Sequence, residues 1–242
     1  MQLIRRFRSD QAGLSLVELL VAMALGSIVL TALMTLVVNG TTSVVATHNR
    51  TEAAQRGRQA MDRVVTLLSS QTCVIADASS SQPPILDASD TSVSFYANLG
   101  KVDSTPLVYR LRYDTGTKRM WEDQYLPVTD PATGKVTYPS YPSTPASSRL
   151  VGEYLAPTVV GGPIFKYWQF VTTEGPTLGM IYETPLATPL SAQSKLAAVR
   201  VTTSFFAQPE KTGKNEPQAT AIDSSATVGS ANAGEPSKGV NC

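Results

Sequence analysis

Glu18 is the one charged residue in an apolar run from Leu14 to Val38, and it stands five positions after Gly13. A carboxylate in a segment suited to hydrocarbon is costly and is read as functional by default. Two roles are open to it. It can snorkel to the headgroups near one end of an ordinary anchor. Alternatively, it can pair with a cation in a low-dielectric setting, where the attraction is strong and neutralising both charges removes a large burial penalty. Two thiols, Cys73 and Cys242, are the other reactive groups. In an oxidising compartment they can pair and pin the end of the chain to residue 73; otherwise they are two free thiols. A bridge closing so long a loop is worth roughly 4–5 kcal/mol in the chain-entropy view.

Enzymatic chemistry finds no foothold. His48 is the single histidine and falls in helix-forming sequence, where a solvated side chain is the simpler reading. Thr133-Gly134-Lys135-Val136 lacks the glycine spacing of a phosphate loop. Asp87, Asp90 and Asp103 occupy loop-like sequence without the spacing of a calcium loop, and read as solvated carboxylates. Asn39-Gly40-Thr41 and Asn49-Arg50-Thr51 match the glycosylation pattern but lie on a predicted helix. The expectation is no catalytic residue, no metal and no cofactor. The 20 basic and 19 acidic residues give a net charge of +1, which is no electrostatic footprint for nucleic acid.

The element that must hold Glu18 is a long helix. Residues 14–38 are mainly Leu, Val, Ala, Met and Ile. As a helix they reach roughly 38 Å, enough for a hydrocarbon core of about 30 Å, and too long for the apolar core of a secretory signal. Arg5, Arg6 and Arg8 precede the run. The positive-inside rule then leaves the N-terminus in the cytoplasm and everything after Asn39 outside. From Thr41 to Ser70 the helix continues, with Met61, Val64, Val65 and Leu68 at one-sided spacing.

Strand signals follow. Residues 76–91 are rich in Ser, Asp and Pro and read as a loop. Ser92–Tyr96 alternates, and Leu107–Tyr113 alternates better, with Leu107, Tyr109, Leu111 and Tyr113 on one face. Asp114–Thr117 is a turn, and Lys118–Tyr125 returns from it. Residues 127–148, with Tyr138 and Tyr141 among prolines, read as an exposed irregular loop. Further strands are expected at Phe165–Thr172, Leu178–Glu183 and Leu196–Phe206. After Gln208 the chain has few apolar anchors and reads as a flexible tail unless Cys242 ties it down.

The short basic leader, Gly13, Glu18 and the uninterrupted apolar run together resemble the class III signal of type IV prepilins. The resemblance implies that a prepilin peptidase cuts between Gly13 and Leu14 and methylates the new amine of Leu14. It also implies that Glu18 pairs with the terminal ammonium of a neighbouring subunit during assembly. Two features depart from the common pattern: Leu14 replaces the usual Phe, and Thr35 stands where many pilins carry Pro. Phe95-Tyr96-Ala97-Asn98, Tyr109-Arg110-Leu111, Trp121-Glu122 and Val199-Arg200-Val201, after Gln59-Ala60-Met61-Asp62-Arg63, look like the W-type minor pilins and the J-type minor pseudopilins.

The expected fold is therefore α+β: a long N-terminal helix, membrane-spanning and then amphipathic, packed on a mostly antiparallel β-sheet head. The divisions are a leader at 1–13, an assembly helix at 14–38, its amphipathic continuation at 39–73, an extracytoplasmic head at 74–208 and a tail at 209–242. The implied role is a low-copy subunit that starts or caps a pilus or a type II secretion-like filament. Its partners would be the prepilin peptidase, other pilin or pseudopilin subunits, the inner assembly platform and the lipids of the cytoplasmic membrane. After assembly it would lie on the pilus at the cell surface. A second reading is a pilus-tip module for surface adhesion or DNA uptake, using residues 127–148 or the tail. A third is an anchored extracytoplasmic enzyme on an uncleaved helix.

Overall fold

The computed structural model describes residues 15–77, 80–99, 105–134, 136–138, 144–172, 181–210 and 219–227. Helix α1 spans Leu16–Ser69. The chain divides into two compact units, one up to His48 and one from Asn49 onward, and each is described by itself.

In the first unit every described residue from Ser15 to Val45 is exposed. Its polar side chains close onto their own helix. Thr31 and Thr35 donate to the carbonyls of Ser27 and Thr31 (2.8 and 2.9 Å), and Ser27 donates to Ala24 (2.8 Å). Such back-bonding spares the hydroxyls a partner in apolar surroundings. By length and composition, α1 can cross a membrane.

In the second unit, the last part of α1 buries Ala53, Gly57, Ala60, Met61, Val64, Leu67 and Leu68, a helical period along one face. The helix closes at Ser70, whose N–H is shared between the carbonyls of Thr66 and Leu67. The chain then runs extended, and Gln71 bridges to Ala97. Among the described residues fourteen strands follow: β1 (Val74–Asp77), β2 (Ser80–Gln82), β3 (Ile85–Ala88), β4 (Ser92–Ala97), β5 (Leu107–Asp114), β6 (Arg119–Tyr125), β7 (Val128–Thr129), β8 (Val136–Thr137), β9 (Ser147–Gly152), β10 (Leu155–Pro157), β11 (Phe165–Thr172), β12 (Ile181–Leu186), β13 (Arg200–Ala207) and β14 (Thr220–Thr227). Helix α2 (Ala192–Ala197) lies between the twelfth and thirteenth.

Among the described residues ten of the strands build two antiparallel five-stranded sheets, and β1–β2 and β7–β8 form two-stranded ones. The first has the order β3-β4-β5-β6-β9. In the second, β13 carries β14 on one side, and β11 followed by β10 on the other, with β12 beyond β11. Both sheets share one core with α1. Val93, Phe95, Leu111 and Met120 come from the first sheet, and Phe165, Tyr167, Val201 and Phe205 from the second. Hydrogen bonds cross between them: the Tyr113 hydroxyl donates to the Leu155 carbonyl (2.9 Å), and that of Tyr167 to the carbonyls of Ser89 and Ser92 (3.1 and 3.2 Å). The opposite face of the first sheet carries a smaller cluster of Val74, Tyr96, Val108 and Tyr125. Tyr138 packs edge-on against Tyr96 at 4.8 Å. Burial pushes the Tyr96 phenol up to about 12, and its hydroxyl donates to Gln82 Oε1 (2.8 Å).

The α+β class is as expected, as are the strands read around 92–96, 107–113, 118–125 and 165–172. The β5–β6 turn is closed by Asp114, whose carboxylate accepts the N–H groups of Gly116 (2.9 Å) and Thr117 (3.2 Å). Hydrogen bonds from Thr117 and Gly116 hold that carboxyl below the usual range.

Four expectations need correction. The loop read at 76–91 contains the end of β1 and all of β2 and β3. Residues 127–148 are not irregular throughout, since β7 pairs with β8 and β9 begins at Ser147. The strand expected at Leu196–Phe206 starts only at Arg200. Ser191 accepts from the Ser194 N–H (3.1 Å) and starts α2 before it. Finally, the segment read as part of a flexible tail contains β14, paired one to one with β13 along eight residues. Ile222 packs on the core and Ala226 is buried.

The helix meets the sheets at glycines. A Cβ at Gly57 would stand 2.6 Å from Ala207 Cβ and closer still to Ile222 Cδ1. One at Gly152 would stand 2.8 Å from Ala60 Cβ. Gly57→Val is therefore expected to overpack this contact and cost about 1–3 kcal/mol. The full chain in detergent should melt lower by about 2–4 °C for each kcal/mol lost, whereas Gly40→Ala, with open space around it, should not.

Candidate assembly site

Glu18 lies in the first turn of α1. The residue just before the helix is Ser15, whose Oγ accepts the Glu18 backbone N–H (3.2 Å) and whose carbonyl accepts the Leu19 N–H (3.1 Å). Ser15-Leu16-Val17-Glu18 thus has the spacing of a capping box, Ser at the cap and Glu three residues on. The helix dipole places partial positive charge at this end and favours the carboxylate by about 0.3–1 kcal/mol at an exposed site. Leu16, Val17, Leu19 and Leu20 around it are all exposed. Glu18 makes no ion pair among the described residues. The arrangement is a fixed acidic group at the start of an exposed apolar helix, suited to receive a cation from outside the helix.

The same helix is locked into its head by a second acidic group. Arg63 donates from Nε and Nη2 to Glu122 on β6 (2.8 and 2.5 Å). The Glu122 side chain is 7% exposed and that of Arg63 29%. The hydrogen bond to Glu122 raises Arg63 above its ordinary value, and burial raises the neighbouring Tyr109 phenol. On the next residue of β6, Asp123 takes Arg112 Nε (2.7 Å) and the Ser148 hydroxyl (2.6 Å), while the Arg112 guanidinium lies 5.4 Å from the centroid of the Trp121 ring.

Of the residues singled out by sequence, Gly13, Leu14, Asp103, Tyr141 and Cys242 lie outside the described residues. Cys73 is half-buried against the core, just past the end of α1. His48 is exposed, and Asn39 and Asn49 are helical. Asp87 lies 3.9 Å from Lys195 Nζ, and Asp90 accepts the Thr188 hydroxyl. Among the described residues no group of three or more His, Cys, Asp or Glu is placed to hold a metal ion. Sequence reasoning missed the Ser15 cap, although its Ser-x-x-Glu spacing was legible, and the Arg63–Glu122 pair, for which no local signal exists.

Residues 8–34 match the family model of the prokaryotic N-terminal methylation motif. The chain carries a prepilin-type signal. The match covers Gly13, Leu14 and Glu18 together with much of the exposed apolar stretch of α1. It supports a type IV pilin-like protein that is processed by a prepilin peptidase, anchored in a membrane and assembled with other pilins. No curated protein matches the chain.

The Arg63–Glu122 pair generates an asymmetric expectation. Arg63→Met leaves a buried carboxylate without its cation and should cost about 3–5 kcal/mol. Glu122→Gln leaves a guanidinium that still reaches water and should cost about 1–3 kcal/mol. Denaturant unfolding of both variants tests the order. Equal losses would mean that the pair does not hold the helix as described.

Proposed function

We propose that this chain is a minor pilin or minor pseudopilin that helps to start or cap a type IV pilus or a type II secretion-like filament. The observation that carries the reading is Glu18, capped by Ser15 in the first turn of an exposed apolar helix, five residues after the Gly13 of a prepilin-type signal. In this reading the peptidase cuts between Gly13 and Leu14 and methylates Leu14. Arg5, Arg6 and Arg8 keep the leader cytoplasmic, and the head lies on the other side of the membrane. Glu18 then receives the Leu14 ammonium of a neighbouring subunit. The likeness of the head's sequence motifs to W-type minor pilins and J-type minor pseudopilins supports a low-copy position over a shaft position. The chain acts by assembly and not as an enzyme.

An extracytoplasmic head also favours a Cys73–Cys242 bridge, which would tie the C-terminus to the point where α1 enters the sheet. Among the described residues no cysteine is free. Peptide mapping without reductant tests it: a Cys73–Cys242 peptide pair is expected, and two alkylatable thiols would exclude it.

The deciding experiment is mass spectrometry of the N-terminal peptide from cells that carry the cognate peptidase. A methylated peptide beginning at Leu14 is expected, and one beginning at Met1 would leave only a simple anchor. In the same cells Glu18→Ala should insert into the membrane normally yet drop out of filaments. Incorporation should fall about a hundredfold or more, because an unpaired terminal ammonium in the bundle costs about 3–5 kcal/mol. Normal incorporation of that variant would defeat the reading.

A further inference from the structure

A sheet edge with unpaired N–H and C=O groups is a template for another chain, and proteins guard such edges with proline, bulges, charge or a covering segment. Among the described residues, four of the five edges in the two large sheets carry a proline, a register shift or a covering contact. β12 holds Pro185, opposite Trp168. β10 is three residues long and ends in Pro157. β3 is interrupted by a register shift between Ile85 and Asp87. Its carbonyls at Leu86 and Ala88 are taken by Lys195 Nζ (2.6 Å) and the Leu190 N–H (3.1 Å). β9 has a register shift beside Met120 and Trp121 and displays Arg149.

β14 has no proline, no register shift and no covering contact among the described residues, and carries a single charge, Asp223. Its eight residues pair with β13 from Arg200↔Thr227 to Ala207↔Thr220 without a shift, and they include no proline, lysine or arginine. Among the described residues no backbone group other than those of β13 bonds to it. The strand is also held firmly, because Ile222 sits at the Gly57 contact and Ala226 is buried. A strand fixed in this way presents its free edge already ordered.

Two features describe what the edge would accept. The side chains of β14 are small apart from Ile222 and Asp223, which leaves room for large cross-strand neighbours. Asp223 is exposed, is the single charge on the strand, and makes no ion pair among the described residues. The flanking sequences of the chain, Lys211–Gln218 and Val228–Cys242, are rich in Gly, Pro, Asn and Lys and are poor strand formers.

We propose that the free edge of β14 accepts an extended segment of a neighbouring filament subunit by strand addition, with a Lys or Arg of that segment set against Asp223. Main-chain hydrogen bonds supply the affinity in this mode, and the side chains on alternate positions supply the choice of partner. The proposal rests on the filament reading above.

The test places a photo-crosslinking residue at position 225 of the full chain in filament-producing cells, with and without Asp223→Lys. The expected adduct joins Ser225 to a strand-forming segment of another subunit that carries a prepilin-type leader. Asp223→Lys should lower its yield about tenfold, as attraction across the strands becomes repulsion, while the melting temperature stays unchanged. Adducts only within the chain or to lipid, no adduct at all, or a yield indifferent to Asp223→Lys would each overturn the proposal. The N-terminal peptide and filament incorporation are read from the same cells. A Leu14 end with normal incorporation but no subunit adduct rejects the edge and keeps the filament reading; an intact Met1 end rejects both.

Discussion

The head depends on how closely one helix approaches two sheets. Ala53, Gly57 and Ala60 place small side chains toward the strands, and the long side chains begin only at Met61. At the small end, backbone nearly meets side chain: Ile222 of β14 and Ala207 of β13 occupy the space where a Gly57 side chain would stand. At the large end, Val64, Leu67 and Leu68 are almost wholly buried, each worth about 1.5–3 kcal/mol relative to exposure. The helix face therefore tapers, and one helix can serve both sheets. Arg63–Glu122 adds little net stability, because desolvating a carboxylate offsets much of the attraction. Its geometry, two hydrogen bonds from one guanidinium, instead fixes the rotation of the helix over β6.

The same helix obeys a different rule before residue 49. There the large side chains face outward on all sides, which water does not favour over so long a stretch. The hydroxyls of Ser27, Thr31 and Thr35 bond to their own helix and ask nothing of the surroundings. Apolar residues exposed all round and polar groups satisfied internally are the two conditions for residence in lipid or in a bundle of like helices. The change to one-sided burial after His48 is the change of solvent, expressed as periodicity.

How much of this was legible follows from where the physics is local. The strand around 107–113 carries large apolar residues at every second position, so period two is visible in the sequence, and 165–172 is dense in aromatic strand formers. β1, β2 and β3 are short, carry Ser and Asp, and owe their existence to tertiary pairing, which composition hides. The start of α2 was missed because the apolar run Leu196-Ala197-Ala198-Val199 reads equally well as the start of a strand; the Ser191 cap decides for helix. β14 has only Ile222 as a large apolar residue, too weak a pattern to read, and its partner β13 supplies the rest. At the assembly site, Glu18 and its spacing from Gly13 were legible because processing acts on linear sequence. Gly57 carries no signal of its own in the sequence; only the packed structure shows it as a close approach.

Glu18 remains the group whose needs the chain does not meet by itself. Its backbone is capped by Ser15 and its charge is eased by the helix dipole, but those interactions suffice for an exposed carboxylate and not for one surrounded by hydrocarbon. Leu16, Val17, Leu19 and Leu20 surround it with apolar surface, so any event that removes water from this end leaves the carboxylate short of a counter-charge. In this part of the helix no cation is available: from Ser15 to Thr47 there is no Lys, Arg or His. In the proposed reading, cleavage after Gly13 would create a terminal ammonium four residues upstream, a cation of the right sign at the same place on every copy of the chain. Side-by-side copies, offset along their axes, could then satisfy each carboxylate with a neighbour's amine. Burial of the apolar helix and neutralisation of the charge would become one event, in which neither is favourable alone.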